Sequence, residues 1–271
     1  MIKKFLSQNL DFGYYLIRSI DKKKKFLIIF PNFISLIFKK TLVFDKKKKS
    51  FFFIFIDNIF DYDSILEIFG QESYNLINHR SFDELIEKYA VDKSKVKVIV
   101  DCGANIGCSA IYFNKIVNNA KIICIEPDNK NFKLLKKNSR NSNFELINSA
   151  VANSITAYST IDNKNKRAIK VQETIESDNR TITIDSIIQN HKKDNHINFI
   201  IKIDIEGFEK NLFEKNYSWL FKFDIIIIEI HDYLFPKEYI SENFFKLIYK
   251  KNENFRFECI LQGENLIFFK R

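Results

Sequence analysis

From residue 96 onward the chain alternates between two hydrophobic rhythms. Short apolar runs at residues 96–100, 121–125, 144–148, 199–204 and 224–230 are long enough for buried strands and too short for helices. Between them lie stretches with helical spacing. Residues 108–117 form one, and residues 128–140 another, with Asp128 as cap and Phe132 and Leu135 on one face. Residues 181–185 lead into a short helix ending near His191, and a further helix is predicted near residues 242–250. A helix is also predicted over residues 206–216, with Glu206 and Glu209 in its first turn, where the dipole favours acids. Residues 151–171 are polar and irregular, with a strand-like piece at 155–161. Two last strands, near residues 255–261 and 265–269, flank the hairpin-like turn Gln262-Gly263-Glu264. Strands alternating with crossover helices predict a doubly wound α/β sheet, mostly parallel, closed by an antiparallel C-terminal hairpin.

Upstream, residues 51–56 are strand-like and residues 81–89 fit a short helix. The expected organisation is a basic N-terminal extension at 1–50, a prelude at 51–95 that packs over the cofactor edge or substrate cleft, and a core domain at 96–271. Charge supports that division. Residues 1–50 carry 13 Lys/Arg against 3 Asp/Glu, so they hold the whole net charge of +9 and leave the remainder near neutral. An apolar stretch at 26–38 sits between Lys22–Lys25 and Lys39-Lys40, with Lys46–Lys49 beyond. It is shorter than the roughly 20 residues needed to span a bilayer and is broken by Pro31 and Asn32. No small-residue cleavage site follows it. Peripheral contact of residues 22–49 with an anionic membrane and a docking helix with a solvated basic face remain alternatives. Nucleic acid is not expected, since no DNA- or RNA-binding module accompanies the lysines. The cysteines, Cys102, Cys108, Cys124 and Cys259, form no C-x-x-C pair and read as reduced, buried thiols of a cytoplasmic protein.

The chemistry collects where the predicted strands end. Residues 96–100 run into Asp101-Cys102-Gly103-Ala104-Asn105-Ile106-Gly107, which spends two of the six glycines in the chain on one turn before a helix. That layout turns backbone toward a nucleotide-type ligand. Its spacing departs from G-x-G-x-x-G, because Asn105 stands where close pyrophosphate approach favours glycine. Asp101 repels a diphosphate and attracts an ammonium or sulfonium group. Glu126, followed by Pro127, ends the next strand, and its two oxygens suit ribose hydroxyls. This fits an adenosine ligand without separating S-adenosylmethionine from NAD. Asn148, Asp204, Glu229 and His231 end the remaining strands, and residues 204–209 hold three carboxylates. Glu229 and His231, two apart, share one side. Glu229 is expected to anchor Lys202 across the sheet.

The loop at 101–107, Glu126-Pro127, residues 183–185, residues 202–209 and Glu229-Ile230-His231 occur in an order that resembles the FkbM family of S-adenosylmethionine-dependent methyltransferases. The resemblance covers roughly residues 51–271. It implies a class I, Rossmann-like methyltransferase fold and methyl transfer to a hydroxyl of a sugar, glycan or secondary metabolite. On this sequence it implies that Asp101, Gly103, Ala104, Asn105 and Gly107 hold the methionine end of the cofactor. Glu126 and Pro127 fall at the ribose, Ser149 and Ala150 near the adenine. Asp204, Glu206 and His231 face the acceptor, with His231 or Asp204 as the proton acceptor. No metal is demanded, although Asp204, Glu206 and His231 are suitable ligand types. The rival readings are an NAD-dependent sugar-modifying enzyme and a silent binding module. The expected location is the cytoplasm or the inner face of a membrane.

Overall fold

A computed structural model describes residues 24–77, 79–162, 169–175, 177–249 and 256–271. Residues 1–23, including Lys22 and Lys23, and the expected helix end and strand start within 250–255 lie outside the described residues.

The core is a seven-stranded sheet assembled from β4 (Val96–Cys102), β5 (Ala120–Ile125), β6 (Glu145–Ile147), β9 (His196–Ile203), β10 (Ile225–Glu229), β11 (Phe257–Gln262) and β12 (Asn265–Lys270). Their order is β11-β12-β10-β9-β4-β5-β6, with β12 antiparallel to β10 and β11 and the other pairs parallel. Strand order therefore runs outward from β4 in one direction and resumes at β9 in the other. The crevice between β4 and β9 is a topological switch point, where open α/β sheets bind ligands.

Period two explains the burial. In β10, Ile225 and Ile227 face one hydrophobic cluster while Ile226 and Ile228 face the other. One face is covered by α3 (Arg80–Ala90), α4 (Cys108–Ile116) and α5 (Asn129–Asn138). The other is covered by α6 (Ile184–Asn190), α7 (Glu209–Leu212), a 3-10 turn (Ser218–Lys222) and α8 (Glu242–Tyr249). Asp128 caps α5, its Oδ1 accepting from the N–H of Lys130 and Asn131 at 2.9 Å, as its sequence position predicts. Thr183 caps α6 in the same manner, accepting from Ser186 N–H at 3.2 Å.

Three departures stand out. The helix expected over 206–216 shrinks to α7, because Glu206 (φ +56°) and Gly207 (φ +93°) are left-handed and cannot belong to it. The irregular stretch forms a separate hairpin of β7 (Tyr158–Asp162) and β8 (Ile169–Glu173). The apolar stretch at 26–38 is not one docking helix: β1 (Phe26–Ile28) and α1 (Asn32–Phe38) come from it. β1 joins β2 (Lys40–Asp45) and β3 (Ser50–Phe55) in a three-stranded antiparallel sheet. The division expected after residue 50 falls inside the β2–β3 hairpin, so extension and prelude share that sheet. Of the cysteines, Cys102, Cys108 and Cys124 are buried, whereas Cys259 on β11 is exposed, contrary to expectation.

The prelude continues with α2 (Ile59–Ile65), a π-helical turn (Leu66–Gln71) and α3. Phe199 of β9 lies between the α3 rings of Phe82 and Tyr89, with centroids 6.2 and 6.1 Å away. Tyr89 Oη donates to Asp224 at 2.9 Å. Replacing fully buried Phe199 by Ala is expected to cost about 3–5 kcal/mol. Chemical denaturation followed by both fluorescence and circular dichroism checks this: a loss below about 1 kcal/mol would mean that α3 is not fastened through that ring.

Candidate active site

The glycine turn is built around a buried charge pair. Asp101 and Lys202 sit opposite each other in the β4–β9 register, on the sheet face that also carries Ile99 and Ile200. Asp101 is fully buried, accepts from Ser109 Oγ at 2.5 Å and lies 3.3 Å from Lys202 Nζ. Lys202 Nζ also donates to the Gly103 carbonyl at 2.8 Å and pairs with Asp204 at 3.1 Å. Burial pulls the Lys202 pKa down, but Asp204 and Asp101 outweigh it and hold the ammonium well above its ordinary range. The expected Glu229–Lys202 anchor is replaced by these partners. Glu229 lies instead 3.5 Å from His231 Nε2.

Gly103 has a steric reason to be glycine. At φ +78° a Cβ would stand 1.8 Å from the Asp204 carbonyl oxygen, so the turn after β4 and the segment after β9 touch through backbone. Gly107, at φ +95°, precedes α4, and a Cβ there would meet Leu135 Cδ1 at 2.8 Å. Four amides of this turn are already used. Gly103 and Ala104 N–H both donate to the Ile125 carbonyl at 3.0 Å, Asn105 N–H to Glu126 Oε2 at 2.8 Å and Gly107 N–H to the Ala104 carbonyl at 2.8 Å. Glu126 is buried, and its other oxygen accepts from Asp128 N–H at 2.9 Å. Burial pushes its carboxyl up to about 7 against the pull of these two backbone donors. Pro127 follows it at the end of β5, and its carbonyl lies 3.4 Å from Asn148 Nδ2, which also donates to the Glu126 carbonyl at 2.8 Å. Ser149 and Ala150 are buried beside Asn148, and the Ser149 hydroxyl donates to the Arg180 carbonyl at 2.7 Å.

Beyond the pair, carboxylates converge on His231. Its Nδ1 lies 2.9 Å from Glu209 Oε1, while Nε2 lies 3.6 Å from Asp204, 3.6 Å from Glu206 and 3.5 Å from Glu229. Burial works against a charged imidazole, but hydrogen bonds to Glu209 and Glu229 and the charge of Asp204 raise its pKa to about 11. These contacts favour the imidazolium form of His231, which weighs against its use as a neutral base. Glu206 is pushed up to about 8, first by burial and then by Asp204. Glu229 is raised by the same two causes. Asp204, Glu206 and His231 offer one ligand atom each within 4.8 Å of one another, a spacing that a metal ion can bridge. A cation there and a proton on His231 are competing ways to neutralise the same carboxylates.

Two contributors, Glu67 and Tyr74, were not singled out from sequence. Glu67, on the π-helical turn, is pushed up to about 7 by burial and by the charges of Glu229, Asp204 and Glu264. Buried Tyr74 lies close enough for Lys202 and Asp204 to act on its phenol. Neither carries a local signal, since both arrive from the prelude by tertiary packing. Lys202 did carry one: a lone cation inside the apolar run at 199–203. Glu209 stands in the first turn of α7, as its position predicts, and is also a buried partner of His231.

The turn accommodates a cationic adenosyl group on two counts. Carboxylates outnumber cations around His231, and the buried Asn105 Oδ1 has no hydrogen-bond partner among the described residues. Among known proteins, residues 101–257 match the family model for the methyltransferase FkbM domain. A comparison with curated proteins gives no match. Solved structures with a similar course include a methyltransferase from Geobacter sulfurreducens, 10% identical over 78% of this chain and 88% of that one, with TM-score 0.35. Another is the N-terminal domain of human METTL16 in complex with SAH, 14% identical over 69% and 66%, with TM-score 0.38. Likeness at that level adds nothing to the assignment, which rests on the family match and the sheet itself.

The raised carboxyls fix a pH dependence. An acid with a higher pKa folded than unfolded binds its proton more tightly in the folded state, so stability falls as pH climbs between the two values. For Glu206 that window runs from the ordinary 4.5 to about 8. His231 adds stability that is complete below 6.5 and fades as pH rises toward about 11. The melting temperature of the ligand-free protein should therefore decline from pH 5 to pH 9, and Glu206→Gln should flatten the lower part. A melting temperature that climbs over this range would contradict the charge assignment.

Proposed function

The chain belongs to the FkbM methyltransferase family, whose cofactor is S-adenosylmethionine, and we propose that it methylates a hydroxyl oxygen of a sugar, glycan or related small acceptor. Its sheet is the class I, Rossmann-like methyltransferase sheet, with β12 inserted antiparallel between β10 and β11. The observation that carries the choice of cofactor chemistry is the spent glycine turn. A diphosphate needs free backbone N–H groups, and those of Gly103, Ala104, Asn105 and Gly107 already donate within the protein. What the turn and its surroundings offer instead is negative charge and acceptor atoms.

S-adenosylmethionine supplies, when bound, a methyl group on a positively charged sulfur. Asp101, Gly103, Ala104, Asn105 and Gly107 would border its methionine end. Asp101 would act from behind, because its carboxylate is committed to Ser109 and Lys202. The Asn105 Oδ1 supplies an unclaimed acceptor. Glu126 and Pro127 would hold the ribose, each Glu126 oxygen keeping one lone pair after its backbone bond. Ser149 and Ala150 would border the adenine. Asp204, lying between Lys202 and His231, would stabilise positive charge nearby.

The acceptor hydroxyl has to lose a proton as its oxygen attacks. Among the carboxylates around His231, Glu206 is the base we favour. It is 27% exposed, so an acceptor can reach it, and its raised pKa lies near the working pH. Asp204 is the weaker candidate, since its carboxylate is already engaged by the Lys202 ammonium at 3.1 Å. His231, fixed by Glu209 and charged, would orient Glu206 and Asp204. The same surplus of acids selects against an acceptor that bears phosphate or carboxylate and for a neutral or cationic one.

Calorimetry with S-adenosylmethionine and with NAD tests the cofactor. Glu126→Ala should weaken S-adenosylmethionine by about ten- to a hundredfold, the usual worth of hydrogen bonds to a charged group. Binding of NAD in place of S-adenosylmethionine would overturn the reading. Mass spectrometry of an extract incubated with isotopically labelled donor identifies the acceptor and shows whether the label enters as an O-methyl group.

For the base, kcat/KM should rise with pH to a plateau above about 8, and Glu206→Gln should lower the plateau by about a hundredfold or more. An unchanged rate in that variant with Asp204→Asn inactive would transfer the role to Asp204.

A further inference from the structure

We propose that the outer face of the three-stranded N-terminal sheet is a docking surface for anionic lipid bilayers. Strand register decides which side chains share that face. Leu27 pairs with Phe44, Phe44 with Phe51, Leu42 with Phe53 and Lys40 with Phe55. Directly paired residues point the same way, so this side is apolar except for Lys40. The opposite side, with Phe26, Val43 and Ile54, is the one that enters the core. Antiparallel sheets with one face on a core ordinarily turn polar residues outward, and this sheet turns aromatic ones.

The exposed surface is contiguous. Phe51 is 62% exposed and Phe53 45%, and at the end of α1 Ile37 and Phe38 are 73% and 60% exposed. The Phe30 ring bridges Phe38 and Phe53, with centroids 6.5 and 6.4 Å away. Apolar patches of this kind mark sites of association with a protein or a membrane.

Charge favours the bilayer over a second copy of the chain, which would bring the lysine clusters of two like-charged faces together. Residues 24–55 contain eight lysines and one acid, Asp45. That acid is buried on the inner side, where its Oδ1 accepts from Lys47 and Lys48 N–H and its Oδ2 lies 4.0 Å from Lys115 Nζ. The side chains of Lys47, Lys48 and Lys49 are exposed at the β2–β3 turn. Lys40 Nζ lies 4.3 Å from the centre of the Phe53 ring and Lys137 Nζ 3.9 Å from that of Phe55, so their ammonium groups fringe the aromatic surface. A nucleic-acid duplex would satisfy the lysines but leave the phenylalanines in water, its bases being already stacked on one another. An anionic bilayer satisfies both, with acyl chains for the rings and headgroups for the ammonium groups. No helix among the described residues is long and apolar enough to cross a membrane.

The sheet is also stiff enough to present this face as a unit. Phe26 packs against Phe69 and Tyr112 at 5.1 and 5.4 Å between centroids, and Glu72 accepts from Lys25 and Phe26 N–H at 2.5 and 3.2 Å.

Cosedimentation of the full chain with vesicles tests the proposal. The protein should pellet with phosphatidylcholine mixed with phosphatidylglycerol, should stay in solution with phosphatidylcholine alone, and should be released by raised salt. Lys47→Gln combined with Lys48→Gln and Lys49→Gln should weaken recovery by more than about tenfold, given roughly fivefold per lysine near such a surface. Phe51→Ser with Phe53→Ser should do the same. The lysine variant changes only exposed side chains at a turn, so it decides the matter if the phenylalanine variant fails to fold. Equal recovery with neutral vesicles, no pelleting with either, or indifference to the lysine variant would overturn the proposal. So would a concentration-dependent dimer in sedimentation velocity that the phenylalanine variant dissociates, which would assign the face to a second copy.

Discussion

A lysine ammonium is buried at the end of β9, where the neighbouring residues Ile200, Ile201 and Ile203 make an otherwise apolar strand. Moving such a charge out of water costs several kcal/mol unless partners compensate. The compensation comes from three places: Asp101 at the end of β4, Asp204 beyond β9 and the carbonyl of Gly103 in the intervening turn. Each partner is thereby held in position by the need to satisfy Lys202. The ammonium consequently fastens the two strands at the topological switch, fixes the course of the glycine turn and aims Asp204 into the cleft. Gly103 permits the arrangement, since any Cβ at that position would collide with the Asp204 backbone.

Outside this fastening the charges do not balance. Four carboxylates, those of Asp204, Glu206, Glu209 and Glu229, lie within 3.6 Å of an imidazole nitrogen of His231. The protein answers in two ways: it keeps His231 protonated, and it raises the pKa of Glu206 and Glu229. Both responses offset a surplus of negative charge that a bound cation would also relieve. A methyl donor whose positive charge disappears on transfer suits a site of this kind, and the raised acid becomes available to accept a proton as that cation leaves. Under the proposed reaction, affinity for the donor and readiness of the base would have one electrostatic origin.

The N-terminal region takes part in the same architecture. Its sheet packs through Phe26 and Phe52 onto Phe69 of the π-helical turn, and that turn brings Glu67 under the influence of Asp204 and Glu229. π-helical turns place side chains that regular helices cannot, which accounts for an acid from outside the core domain at its cleft. Glu72, left-handed at φ +59°, ends the turn and accepts from the backbone where β1 begins.

The sequence by itself determined what depends on neighbours along the chain. Isoleucine-rich runs made β9 and β10, Asp128 and Thr183 capped their helices, Gly263 at φ +61° turned the last hairpin, and the glycine turn after β4 lay where its spacing put it. Local rhythm failed where contacts from elsewhere overrode it. Residues 206 and 207 look helical, yet Phe235 packs against Gly207 so closely that a Cβ would sit 2.3 Å from its ring, in a left-handed turn that ends the helical course. β3 was legible as the strand-like run at 51–56, whereas β1 and β2 went unread, because β1 lies in an apolar run continuous with α1 and β2 stands between lysine clusters. The protonation of His231, the partners of Lys202 and the arrival of Glu67 belonged to the tertiary structure alone. A pKa and a buried ion pair are sums over groups close in space, and these groups come from segments as far apart in sequence as residues 67 and 231.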